Sequence, residues 1–225
     1  RNQSHDNTYL LSSTPSYQSL FKSTPNHYAK QFIIAFTGQY HDRSNDYVGI
    51  SILAPYDTNV TIFAIQSSKP WNFTVHIRGR ENLQHKLPIS LRMDQSMSSL
   101  NGIEILSTSD ISVLCLNSQG NGHAGDAYLA LPTYTLGLVY VVPSYQPDYY
   151  HSHANFAVVS AHKNNPIIVI PNKNVVIQSR GLSYNQGACL YVVLDKLEAL
   201  YISSSSDLSG TLVTSRKPVA VISGV

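Results

Sequence analysis

The chain has 225 residues, of which 43% are hydrophobic and only 12% carry charge. That is enough apolar chain to bury a sizeable core, and it excludes wholesale disorder. The charged fraction is about half the roughly 25% of an ordinary soluble domain. The basic excess, 15 Lys and Arg against 13 Asp and Glu, is too small to supply the phosphate contacts of a nucleic-acid binder. Ser, Asn, Tyr and His take the place of charge, which points to an extracellular or glycan-covered surface. No apolar run approaches the about 18 residues that span a bilayer. The chain opens at Arg1 without a signal-peptide core and stops just after a strand-like run, as expected of a mature form or of a piece cut from a longer protein.

Residues 1–28 are rich in Ser, Thr, Asn and Pro, and a Ser-Thr-Pro triplet at Ser13 recurs at Ser23. This composition predicts an extended polar arm that docks on a neighbouring domain or subunit as an added strand. From Gln31 the pattern is strands: Phe32 to Phe36, Tyr47 to Leu53, Val60 to Ile65 and Phe73 to Ile77 are β-branched and aromatic runs bounded by turn formers. Leu138 to Val142, Phe156 to Val159, Ile167 to Ile170, Val175 to Ile177 and Val219 to Ile222 repeat the theme. Val193 to Leu200 has a partial helical period, but its strand-forming flanks favour a strand, an Asp195-Lys196 turn and a second strand.

Two segments repeat at nearly one spacing. Ala54 to Phe63 resembles Ala161 to Ile170, and Gly102 to Val113 resembles Gly210 to Val221. The expected architecture is all-β, with two tandem related β-sandwich-like units behind an extended amino-terminal arm. The expected divisions are 1–28 for the arm, 29–145 for the first unit and 146–225 for the second.

These residues also carry a family likeness. Asp126-Ala127-Tyr128-Leu129-Ala130-Leu131-Pro132, followed by Leu136-Gly137 and Tyr140, resembles a signature of the amino-terminal domain of the IgGFc-binding protein family. Asp207-Leu208-Ser209-Gly210-Thr211 and Ser215-Arg216-Lys217-Pro218-Val219-Ala220-Val221-Ile222-Ser223-Gly224 resemble its closing blocks. The likeness runs from about residue 30 to 224, and it implies a module of large secreted mucus or adhesive glycoproteins. No residue set for Fc recognition transfers with it. Physically, Asp207, Ser209 and Gly210 suit a turn, and Lys217-Pro218 suits a strand entering at a sheet edge, where proline removes no ladder bond.

Reaction chemistry finds little support. Gly120-Asn121-Gly122-His123-Ala124-Gly125 matches a dinucleotide fingerprint in letters, but Pro132 cuts short the element that would have to be its helix. His151 and His153, with Asp148 or His162, form a conceivable metal group that reads more simply as surface histidines. Asp42 to Asp46 begins like a calcium loop but lacks its glycine and its closing glutamate. No nucleophile elbow exists. No cofactor and no resident metal are expected.

Cys115 lies in an apolar run, as inert packing or as half of a disulfide with Cys189 that would contribute about 4 kcal/mol. Asn2, Asn59 and Asn72 head N-glycosylation sequons. Tyr145, Tyr149, Tyr150, His151 and His153 form the richest candidate interface, with linker or core aromatics as the plain alternative. The sequence thus predicts a secreted, non-enzymatic structural or adhesive module with no membrane span. Its expected partners are other extracellular proteins or glycoconjugates and its own copies, in an oligomer or filament joined through the arm. A carbohydrate-binding, lectin-like module, with or without the assistance of calcium, is the alternative.

Overall fold

The computed structural model describes residues 27–38, 46–66, 69–94, 98–118, 125–147, 153–173, 175–179, 182–185 and 187–224. The arm ahead of His27 lies outside them. The first strands are β1 (Ala29–Ile34), β2 (Tyr47–Ala54), β3 (Thr58–Gln66), β4 (Lys69–Ile77), β5 (Glu81–Leu87), β6 (Ser98–Ser99), β7 (Ile103–Ser118) and β8 (Gly125–Leu129). Then follow β9 (Gly137–Val141), β10 (Ala154–Ser160), β11 (Asn165–Ile170), β12 (Ile177–Ser179), β13 (Leu182–Tyr184), β14 (Leu190–Leu194), β15 (Ala199–Ser204) and β16 (Leu212–Gly224). Val193 to Leu200 is indeed strand, turn and strand, with Leu197 at φ 65° closing the turn. β5 went unread in the sequence because Glu81-Asn82-Leu83-Gln84-His85-Lys86-Leu87 has only two aliphatic residues, Leu83 and Leu87, and contains no β-branched residue.

Each unit is built around one long, bent strand. β7 pairs over its first half with β1 and β3, and over its second half with β2 and β8. The sheet therefore folds back on itself over a core that includes Phe32, Ile34, Ile50, Ile52, Ile62, Ile105 and Val113. Serine and threonine hydroxyls hold the bend: Ser107 Oγ donates to the Ser109 carbonyl at 2.7 Å, Ser109 N to Thr58 Oγ1 at 3.0 Å and Asn59 N to Thr108 Oγ1 at 3.0 Å. β16 plays the same part in the second unit. It pairs with β9 and β11, then with β10, over a core that includes Phe156, Val158, Ile167, Val192, Leu200 and Val213.

The strand orders β4-β3-β7-β2-β5 and β14-β11-β16-β10-β15 are the same order written twice. Registers agree residue by residue. Val60 opposite Ser107 becomes Ile167 opposite Ser215, and Gln31 opposite Leu106 becomes Val139 opposite Thr214. The sequence repeat is a structural duplication.

Two expectations need correction. The division between units falls before β9, in the turn around Thr133–Thr135, and not at residue 145, because β9 pairs with β16 of the second sheet. Pro218 also does not stand at a sheet edge. It sits at the bend of the central strand β16, where the β9 ladder breaks between Thr214 and Val219, so its missing N–H still costs no bond. There Asn165 replaces the ladder, accepting from Lys217 N at 2.9 Å and donating to the Lys217 carbonyl at 3.0 Å.

A third buried cluster joins the units. Ile33, on the outer face of β1, and Ala35 just beyond its end meet Ala157, Val159, Ala199, Tyr201 and Ala220 from the outer faces of β10, β15 and β16, with Phe63 of β3 and Ile222 at the margin. Short side chains let the two sheets approach closely. β6 adds to the edge of β15, and Gly102 N donates to the Leu197 carbonyl at 3.0 Å. Lys196 Nζ reaches Glu104 at 2.8 Å, and Gln31 Nε2 donates to the same carboxylate at 2.8 Å.

Candidate interaction surface

The second unit carries an apolar face on the outside of its sheet. β9, β16, β11 and β14 lie side by side, and strand alternation turns Val213, Ile167, Val169, Leu190 and Val192 into the core. The residues between them point outward. The register sets Val141, Leu212 and Ile170 in one row and Val139, Thr214, Ile168 and Tyr191 in the next. Val141 is 65% exposed, Val139 64% and Tyr191 58%, and Val193 and Ile170 are exposed beside them. No carboxylate or ammonium group interrupts these rows. Soluble proteins otherwise keep contiguous apolar patches small, which makes this sheet face the candidate interaction surface. Its signal in the sequence is the near-continuous apolar runs Leu138 to Val142, Pro166 to Ile170 and Leu190 to Leu194, which describe strands apolar on both faces.

The tyrosine and histidine cluster proposed from sequence is described only in part. Tyr145 is exposed and lines a groove of about 210 Å³ with Phe36, Ala127, Tyr128 and Ile222. His153 is exposed just before β10. Tyr149, Tyr150, His151 and Asp148 lie outside the described residues, as do Asn2, the Gly120 to His123 stretch and Asp42 to Asn45. Asp46 pairs with Arg92 at 2.8 Å. Among the described residues no three His, Cys, Asp or Glu side chains converge as a metal site, and no helix is long and apolar enough to cross a membrane.

The two cysteines are not bridged, which corrects the expected disulfide. Cys115 is wholly buried in the first core, opposite Ile50 and Tyr128, whereas Cys189 is exposed in the second unit. The pairing fails because strand alternation turns Cys115 inward beneath its own sheet. Burial pushes its thiol up to about 12, against a smaller opposing effect of the Tyr128 hydroxyl, which itself donates to the Ala35 carbonyl at 2.7 Å. Since the thiolate is the reactive form, native protein should react with one equivalent of a thiol reagent, at Cys189. The second equivalent should appear only on unfolding. Two rapid equivalents in native protein, or none without reductant, would refute this placement.

Asn59 and Asn72 are exposed on the outer face of the β3–β4 hairpin. Their sequons run antiparallel, and the two sequon threonines meet, Thr61 Oγ1 lying 3.1 Å from Thr74 Oγ1. Asn59 Oδ1 contacts His76 Nδ1 at 3.0 Å. On the opposite face of the same corner His85 stacks on Phe73 at 4.0 Å between ring centroids, and burial holds its pKa below the usual histidine value.

Fold and surface together define a class: a duplicated all-β module whose described surface offers docking area without a convergent reaction centre. Residues 126–225, from β8 through the second unit, match the family model described as IgGFc binding protein. A human protein named IgGFc-binding protein is 26% identical over 196 residues, which is 87% of this chain and 4% of that relative. Residues 126–225 thus resemble the domain of that family, and the chain spans about 4% of the length of this relative. No solved structure matches it.

Proposed function

We propose that the chain is a secreted, non-enzymatic structural or adhesive module that binds other extracellular proteins or glycoconjugates through the outer face of β9, β16, β11 and β14. The observation that carries this reading is the exposed apolar surface of Val139, Val141, Ile170, Tyr191 and Val193. Aliphatic rows bury well against a partner, and Tyr191 adds contact area with a hydroxyl at low entropic cost. The match of residues 126–225 to the family model and the scarcity of charge support the secreted setting.

The test immobilises the full chain and measures binding of purified IgG Fc, a purified mucin and the same mucin stripped of glycans. Fc is included because the human relative carries it in its name. Binding of at least one of these that falls about tenfold in a Val141→Ser/Tyr191→Ser variant supports the reading, this being the loss of about 1.4 kcal/mol of contact. Binding lost with the glycans and indifferent to the variant, with or without a requirement for calcium, would favour the lectin-like alternative. No binding to any of the probes counts against both.

The hairpin sequons extend the proposal. Asn59 and Asn72 carry glycans when the chain passes through a secretory host. Each should give a mass loss on glycosidase treatment that disappears in Asn59→Gln or Asn72→Gln, whereas a mass equal to the bare polypeptide would remove the sites.

A further inference from the structure

The chain contains two copies of one fold, and it shows what covers this sheet face in the first copy. There the outer side of β1, β7 and β3 presents Ile33, Glu104 and Phe63, and β10, β15 and β16 of the second unit lie on it. The shared register carries those positions to Val141, Leu212 and Ile170 in the second unit. Ile33 is 3% exposed, whereas Val141, its counterpart, is 65% exposed. The same face is covered once and left open once.

The other half of the joint is also duplicated and also open. Ala157, Val159 and Ile222, which the second unit lays on the first, correspond by register to Ser51, Leu53 and Leu114. Ser51 is short, as its counterpart Ala157 is. Leu53 is exposed, and so is Leu129, which pairs with Leu114 across β7 and β8. One chain therefore carries both faces of an interface that it already uses internally, the second with Asn82 and Gln84 at the positions that Ala199 and Tyr201 hold in the internal joint.

We infer that copies of this chain stack head to tail, the β9-β16-β11-β14 face of one copy seating on the β5-β2-β7-β8 face of the next. This rests on the docking reading above and names a second copy as the partner. The two faces are not equivalent, so the contact is heterologous and nothing in it limits growth at two copies. Each added copy repeats the internal joint, giving a row of β units in one register. The continuing apolar rows through Ile168 and Tyr191 enlarge the contact beyond the internal one, where the corresponding positions are the sequon threonines Thr61 and Thr74.

Sedimentation velocity and light scattering on the full chain, over a wide concentration range, test this. Two double variants at exposed positions each spoil one face: Val141→Asp/Ile170→Asp and Leu53→Asp/Leu129→Asp. Circular dichroism and a thermal melt first show that each is folded; should either fail, Val141→Ser or Leu53→Ser replaces it. The mass of the wild-type chain should rise with concentration past that of a dimer. Each variant alone should lose about tenfold or more in association, since a carboxylate cannot be buried unpaired against apolar side chains. Mixed together, the variants should form a dimer and stop there, because each keeps one sound face. A wild-type chain that remains monomeric overturns the inference, as does a mixture that stays monomeric. Growth that stops at a dimer and ignores the Leu53/Leu129 variant indicates the first face pairing with itself. Assembly lost only on deleting residues 1–26 assigns it to the arm. A monomeric chain whose Val141 face still binds Fc or mucin would leave the docking reading standing and remove this one.

Discussion

Gly102→Ala is expected to lower the melting temperature by about 2–12 °C and to split unfolding into two transitions. A β-carbon at Gly102 would lie 2.6 Å from the Leu197 carbonyl oxygen, 2.9 Å from the Leu197 α-carbon and 2.7 Å from Val159 Cγ1. Two of those atoms are backbone and cannot rotate away. The Gly102 N–H also donates to that same carbonyl, so the close approach is part of the bonding at the joint. Overpacking of this kind costs about 1–3 kcal/mol, and each kcal/mol is worth about 2–4 °C in a protein of this size. The strain falls between the units and leaves both of their own cores intact, so cooperativity should suffer along with stability. Gly187→Ala is the control. Gly187 has φ 87°, and a β-carbon added there would meet no atom within 4 Å, so alanine meets only backbone strain of about 1–2 kcal/mol. It should lower the melting temperature without splitting the transition. Calorimetry distinguishes the two, and an unchanged single transition in Gly102→Ala would mean that the units do not meet at this carbonyl.

The duplication was legible in the sequence because it rests on local patterns. Val60 to Phe63 and Ile167 to Ile170 share strand-forming side chains, and Gly102 to Val113 shares its alternation with Gly210 to Val221. The Asp207-Leu208-Ser209-Gly210 turn was legible too: Asp207 Oδ1 accepts from Ser209 N at 2.9 Å, and Gly210 has φ 80°. What escaped is long-range. The boundary was drawn at the turn-rich Pro143 to Asp148, because turn chemistry is visible in a sequence while the pairing of β9 with β16 across some seventy intervening positions is not. Cysteine pairing failed likewise, since spacing says nothing about which side of a sheet Cys115 enters. The apolar outer face lay hidden in plain composition. A run such as Pro166 to Ile170 reads as core on both sides, and only the register shows that Ile168 and Ile170 face outward.

The ion pair at the joint yields the second large effect, and it is asymmetric. The Glu104 side chain is 8% exposed and the Lys196 side chain 39%. Lys196 Nζ lies 2.9 Å from Oε1 and 2.8 Å from Oε2, and Gln31 Nε2 donates to Oε1 at 2.8 Å. Lys196→Met leaves a buried carboxylate held by one amide. Removing a partner from a fully buried pair costs about 3–5 kcal/mol, and water reaching the half-exposed lysine side reduces this to about 1–3 kcal/mol. Glu104→Leu instead frees a lysine that can turn into solvent, so it should cost less than about 1 kcal/mol. The chain already contains this substitution in its second copy, where Leu212 holds the position of Glu104. The double variant should therefore recover most of the stability lost in Lys196→Met, giving a coupling of about 1–2 kcal/mol in denaturant unfolding of the four chains. Equal losses for both single variants would show that the pair is a net source of stability. The expected inequality would show that the pair adds little net stability and that the loss in Lys196→Met comes from leaving the buried Glu104 carboxylate uncompensated.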